Sequence, residues 1–183
     1  MPLSKPEPRK HLHTREIQCR GYEREDGLWE IEASIVDTKT YSFDNQDRGG
    51  VASGEPVHHM RVRLTVDDDL VVRRAEATTE AGPYTICGDV APVVETLVGA
   101  AIQPGWRKDV LKRMGGVKGC THITDLLVGP VAVTAHQTIE AARRRRKAVS
   151  PDTGKPPQLD TCHAYARTSP VVKRLWPDFH DEA

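Results

Sequence analysis

The sequence predicts an α+β fold, an antiparallel sheet of about three to five strands with helices packed on one face. Three observations lead there. Residues 28–36 and 57–66 alternate apolar and polar side chains with the two-residue period of a strand. Only the Asp67-Asp68-Asp69 turn separates the second run from a third, so those two strands are antiparallel. From residue 84 onward the apolar spacing becomes helical.

Residues 1–14 are rich in proline and charge and are expected to form a flexible tail, with 15–183 as a single domain. In LWEIEASIV, Trp29, Ile31, Ala33 and Ile35 share one face of the first strand. The segment 37–55 is polar, contains Gly49-Gly50, and reads as a long loop. Long loops inside compact domains are often functional. VHHMRVRLTV then places His58, Met60, Val62, Leu64 and Val66 on one face and His59, Arg61, Arg63 and Thr65 on the other. Residues 70–78 return as a third strand.

The first helix is expected over 84–99, after Gly82-Pro83, with Ile86, Val90, Val94, Leu97 and Val98 as its apolar stripe. Pro92 marks a kink or a later start. A short helix over 106–114 ends at Gly115-Gly116, and a long one over 121–146 is interrupted near Gly129-Pro130. Residues 148–160 read as a loop. The segment 161–178 closes the domain, with a strand at 161–167 and SPVVKRLW as a hairpin arm or short helix.

With 183 residues, 38% of them hydrophobic, the chain is long enough for one core. Its 26 Lys and Arg balance 26 Asp and Glu, which argues against a nucleic-acid partner. The RRRRK run at 143–147 reads as cations at the C-terminal end of a helix dipole. No apolar run approaches the ~18–20 residues of a membrane span, and the N-terminal residues lack the apolar core of a secretory signal. The expected location is the cytoplasm. There Cys19, Cys87, Cys120 and Cys162 remain thiols, and no CxxC pair suggests a zinc ribbon. The expected partner is a small-molecule ligand. Nothing in the sequence fixes the oligomeric state, and a homodimer is compatible with it.

His58, on the buried face of its strand, must satisfy two ring nitrogens, as a hydrogen-bonded core residue or as a ligand or base. Cys87 lies in PYTICGD near an expected helix start, where backbone N–H groups favour a thiolate. In GGVKGCTHITDLL, Cys120 and His122 are two apart and diverge if both are helical. They converge only if Cys120 is still in the loop, with Thr121 as N-cap. His122 and Asp125 share a helical face, as a histidine and an orienting carboxylate would. His58, Cys87, Cys120 and His122 are therefore the expected ligands of a mixed imidazole–thiol metal pocket, with zinc as the cofactor and iron as the alternative.

If the protein is an enzyme, the metal acts as Lewis acid in a hydrolase- or lyase-type reaction on a small oxygenated metabolite. Asp89 or Asp125 would be the acid or base and Tyr84 a hydrogen-bond donor. Arg61 and Arg63 alternate away from His58. His136 pairs more naturally with Glu140 than with His122. Cys162 and His163 are adjacent on an expected strand, so only one can face inward. Two rival classes use the same residues: a metal-free accessory or binding module that keeps them as core, and an enzyme with Cys87 or Cys120 as nucleophile.

The stretches CRGYEREDGLWEIEASIVDTKTY, GEPVHHMRVRLTVD, AGPYTICGDVAP and GGVKGCTHITDLL resemble the bacterial family catalogued as a domain of unknown function, DUF 2889. The resemblance runs over about residues 10–145, with a looser match at the CHA segment near 162 and at Trp176-Pro177. It implies no activity. In layout the chain is also similar to the scaffold proteins of iron–sulfur assembly, in which three cysteines and an aspartate bind zinc or a cluster. Cys87 and Cys120 fall near the second and third of those cysteines. The first falls near Pro56, which cannot ligate, and His58 is the nearest substitute. The departure at Pro56 counts against cluster assembly and leaves a metal pocket as what the resemblance implies, with an iron–sulfur-scaffold-like protein as an alternative function.

Overall fold

The computed structural model describes residues 2–146, 156 and 158–182, with 143–146 described by backbone alone. They form two compact units, 1–145 and 146–183. The first unit holds a four-stranded antiparallel sheet in the order β1-β2-β3-β4. Its strands are β1 (His13–Glu23), β2 (Trp29–Lys39), β3 (Pro56–Val66) and β4 (Val72–Ala81). Helical segments cover one face, as the α+β reading requires.

The alternation of β2 is strict. Trp29, Ile31, Ala33 and Ile35 are buried, while Glu30, Glu32 and Ser34 are half-exposed. From β3, Met60, Val62, Leu64 and Val66 join the same core. β2 does not end at residue 36. It continues to Lys39, so Asp37 belongs to the strand and not to the following loop. β1 was not expected as a strand. It is an edge strand exposed along most of its length, and its apolar positions are too few to mark a period.

The helix expected over 84–99 is replaced by two 3-10 segments, Thr85–Gly88 and Ala91–Leu97. Gly82-Pro83, Gly88 and Pro92 break the run into pieces too short for α-helix. Val94 and Leu97 are buried, but Ile86 and Val98 of the expected stripe are exposed. Helix α1 (Trp106–Met114) matches expectation and buries Trp106, Val110 and Met114.

The long helix is continuous in path but mixed in type. α2 (Thr121–Leu126) passes through a π turn at Leu127–Val131 into α3 (Ala132–Arg146). Pro130 has no N–H to give, and the widened turn absorbs it. The indole N–H of Trp106 donates to the Leu127 carbonyl at 2.8 Å and ties α1 to this turn. α3 lies close over β1 because Gly21 has no side chain: a Cβ there would fall 1.8 Å from Thr138 Oγ1.

The second unit has no strand among the described residues. The expected strand at 161–167 is instead a 3-10 turn, His163–Tyr165, and Cys162 is exposed. Residues 169–176 take the helical option: α4 (Pro170–Leu175) is capped by Ser169 Oγ, which accepts from Val172 N–H. Tyr165 and Trp176 pack with ring centroids 5.4 Å apart. Most of the loop expected over 148–160, and the side chains of the 143–147 run, lie outside the described residues. Among the described residues no helix is long and apolar enough to cross a membrane.

Candidate metal centre

The strand register puts three functional side chains in one row. Asp37 of β2 stands opposite Arg15 of β1 on one side and His58 of β3 on the other. All three belong to the sheet face that the helices cover. Asp37 ends the buried series of β2, and His58 precedes Met60 and Val62 on β3. α2 then carries His122 onto the same spot.

The two imidazoles converge on one carboxylate oxygen. His58 Nδ1 lies 3.2 Å and His122 Nε2 3.3 Å from Asp37 Oδ2. The two rings stack, with centroids 4.0 Å apart and planes tilted by 30°. Asp37 is 2% exposed, whereas His122 and His58 keep 15% and 23% of their side-chain surface. The centre is therefore closed below and accessible from the side of the rings. One donor atom from each residue lies within 4.8 Å of the other two, an arrangement that can hold a metal ion.

Arg15 fixes the carboxylate. Its Nε donates to Oδ1 and its Nη2 to Oδ2, each at 2.8 Å, a two-pronged pair. At the rim, Arg15 Nη1 is 3.7 Å from Asp125 Oδ2, and His13 Nε2 is 3.4 Å from Asp37 Oδ1. Burial alone would raise the Asp37 carboxyl pKa, but the hydrogen bonds and charge of Arg15, with the two histidines, hold it below the ordinary carboxylate value. Burial lowers the pKa of His58, the charge of His122 lowers it further, and Asp37 only partly opposes them. Burial also lowers that of His122, against the pull of Asp37. The centre thus favours an ionised carboxylate beside neutral imidazoles, each with one ring nitrogen free of a proton, the net protonation state that metal binding requires. His58 Nδ1 is buried and makes no hydrogen bond despite its distance from Asp37.

Of the expected pocket, the structure brings His58 and His122 together, 64 residues apart in sequence. Cys120 adjoins them, with Sγ 3.8 Å from His122 Nδ1, on the ring nitrogen facing away from Asp37. The two side chains meet because Cys120 is the extended N-cap residue of α2 and Thr121 the first helical one. Thr121 is therefore not the N-cap. Asp125 is 60% exposed at the rim beside Arg15.

Cys87 packs against Gly82 and Thr79 at the end of β4 and is not a member of the three-residue group. Tyr84 and Asp89 are exposed on the same turn. The cysteine-led helix on which the likeness to iron–sulfur scaffolds rested is absent, since residues 84–99 fold as 3-10 turns. His136 Nδ1 lies 3.8 Å from Glu140 one turn along α3. Sequence reading missed Asp37, Arg15 and His13. The signal for Asp37 was present, because it continues the odd-numbered buried series of β2 by one step.

A profile of the family described as "Protein of unknown function (DUF2889)" matches residues 13–137. That span contains the four strands, α1, α2 and every residue of the centre. No curated protein and no solved structure matches the chain.

Proposed function

The chain belongs to the DUF2889 family, whose description assigns no activity, and from its own centre we propose a metal-binding protein in which Asp37, His58 and His122 hold a divalent cation. One observation carries this reading. Two imidazole nitrogens stand 3.2 and 3.3 Å from a single carboxylate oxygen. Ligand atoms ~2.0–2.1 Å from a tetrahedral zinc are themselves about 3.3–3.4 Å apart. Both nitrogen–oxygen pairs thus already have the spacing of a tetrahedral set, and all three donors lie within 4.8 Å of one another. His58 Nδ1 supports the same reading, because it is buried and makes no hydrogen bond although Asp37 Oδ2 lies 3.2 Å away, and a cation between the two would satisfy both.

Zinc is the proposed ion. Iron is the alternative, because two histidines and one carboxylate are also the ligand set of non-haem ferrous sites. Three protein donors leave at least one position for a small oxygenated ligand, as in catalytic rather than structural sites. A divalent ion there supplies Lewis acidity to an oxygen function of that ligand. Arg15 orients the carboxylate, and Asp125, exposed at the rim beside Arg15, would serve as the acid or base of such a reaction. The reaction class we propose is hydrolytic or lyase-type. The four cysteines are free, which suits a reducing cytoplasm.

Elemental analysis of the purified protein tests this reading. One zinc or iron per chain in the wild type, lost in Asp37→Ala, His58→Ala and His122→Ala but kept in Cys87→Ala, is the expected result. No stoichiometric metal in the wild type overturns it. A second reading draws on the 3.8 Å contact of Cys120 with His122. Cys120, His122 and Asp37 follow one another as nucleophile, base and orienting carboxylate do in thiol enzymes. Rapid, selective alkylation of Cys120 in metal-free protein at neutral pH would favour that reading.

A further inference from the structure

We propose that Cys120 is a positioning residue that lets His122 move its ring proton from Nε2 to Nδ1 when a cation enters the centre. The inference rests on the metal-binding reading above and concerns a residue outside the three ligands. Cys120 is partly buried against the core, and its side chain does not cap α2. Its Sγ is 3.8 Å from His122 Nδ1, whereas Nε2 of the same ring faces Asp37 at 3.3 Å. The sulfur therefore sits across the ring from the cation position and acts on the ion through the imidazole.

A neutral imidazole carries one ring proton, and both of its nitrogens have partners here. Without a cation, the proton on Nε2 points at the Asp37 carboxylate, and Nδ1 accepts from the Cys120 thiol. With a cation, Nε2 must present its lone pair, so the ring proton moves through solvent to Nδ1 and is donated to Sγ. The ring holds one proton before and after, and the thiol keeps its own. A thiol is both weak donor and weak acceptor, so a single contact serves both tautomers. A hydroxyl can do the same, and a methyl group cannot. Partners on the far nitrogen of a ligating histidine typically change metal affinity 10–100-fold.

The test uses the full chain, with Co(II) and Zn(II) as probes, comparing wild type with Cys120→Ser and Cys120→Ala. Wild type is expected to bind one Co(II) with ligand-field bands but no near-ultraviolet thiolate-to-cobalt band. Cys120→Ser should stay within about threefold of wild type, and Cys120→Ala should lose roughly 10–100-fold in affinity. Nitrogen-15 NMR of the His122 ring should show the Nε2–H form converting to Nδ1–H on addition of Zn(II) in wild type and in Cys120→Ser. A thiolate-to-cobalt band in wild type makes Cys120 a ligand and overturns the inference while leaving a metal centre in place. Equal affinities in wild type and Cys120→Ala, or an unchanged His122 tautomer, overturn it in the same way. Failure of wild type to bind Co(II) stoichiometrically overturns the metal reading itself.

Discussion

At the scale of single residues, the centre depends on how Asp37 stays ionised while 2% exposed. Its counter-ion in the metal-free protein is Arg15, bonded to both oxygens at 2.8 Å. Arg15→Gln should destabilise the metal-free protein by about 1–3 kcal/mol. Breaking a buried pair costs more than that, but Arg15 is itself partly exposed and solvent screens it. A cation in the centre takes over the role of the guanidinium, so saturating zinc should close most of the gap. Urea unfolding with and without zinc measures this, and an equal loss in both conditions would show that the cation does not meet the carboxylate. Asp37→Ala should separate the two roles, abolishing zinc binding in a chelator-competition assay with an affinity loss above about 100-fold. His58 and His122 were legible in the sequence, one from strand alternation and the other from its place at a helix start. Asp37 was harder to see. A lone carboxylate in a core position is normally excluded by its desolvation cost, and only the register with Arg15 makes it acceptable. Arg15 lies in a segment with no periodicity to place it.

At the scale of elements, the segments with a strong period were the ones the sequence revealed. β2, β3 and α1 each bury one clear face, and their pattern follows from that burial, whereas β4 was legible through the short Asp67–Asp69 turn before it. β1 buries little of its length, so no pattern is imposed on it, and it can be found only through its pairing with β2. The 84–99 run has apolar residues at helical spacing, but Gly88 and Pro92 cut it and Gly82-Pro83 precede it, and local backbone restrictions prevailed over periodicity. The fit of α3 on β1 is equally invisible in sequence and can be tested directly. Gly21→Ala would place a Cβ within 2.8 Å of Thr138 Cβ and Cγ2 as well as against its hydroxyl. Overpacking of this kind costs about 1–3 kcal/mol. A lowered urea midpoint, partly recovered in Gly21→Ala/Thr138→Ala, is expected. Strict additivity of the two substitutions would mean that the helix does not press on the strand there.

At the scale of the whole molecule, the centre couples folding, protons and metal. In the folded metal-free protein His58 and His122 titrate below their ordinary value of 6.5, chiefly because burial disfavours the imidazolium. As pH falls through 6.5 the unfolded chain therefore takes up those protons first, and stability falls with pH until the folded values are also passed. Asp37 acts in the same direction in a lower window: its folded pKa lies below 3.8, so its contribution is present above that value and is lost as pH drops through the folded one. Arg15 keeps its charge throughout, so these are the shifts that set the sign. Each proton in play contributes a slope of up to about 1.4 kcal/mol per pH unit. The metal-free protein should show a urea midpoint that declines from about pH 7 toward pH 5, with a shallower decline in His58→Ala. Zinc sharpens the dependence, because the cation needs both imidazoles neutral and protons compete with it. At a free zinc concentration 100 times the dissociation constant it adds about 2.7 kcal/mol of stability near neutral pH. That increment should fade over the same interval below pH 6.5 in which the histidines protonate. A zinc increment that stays constant down to pH 5 would place the ion on groups other than these two imidazoles.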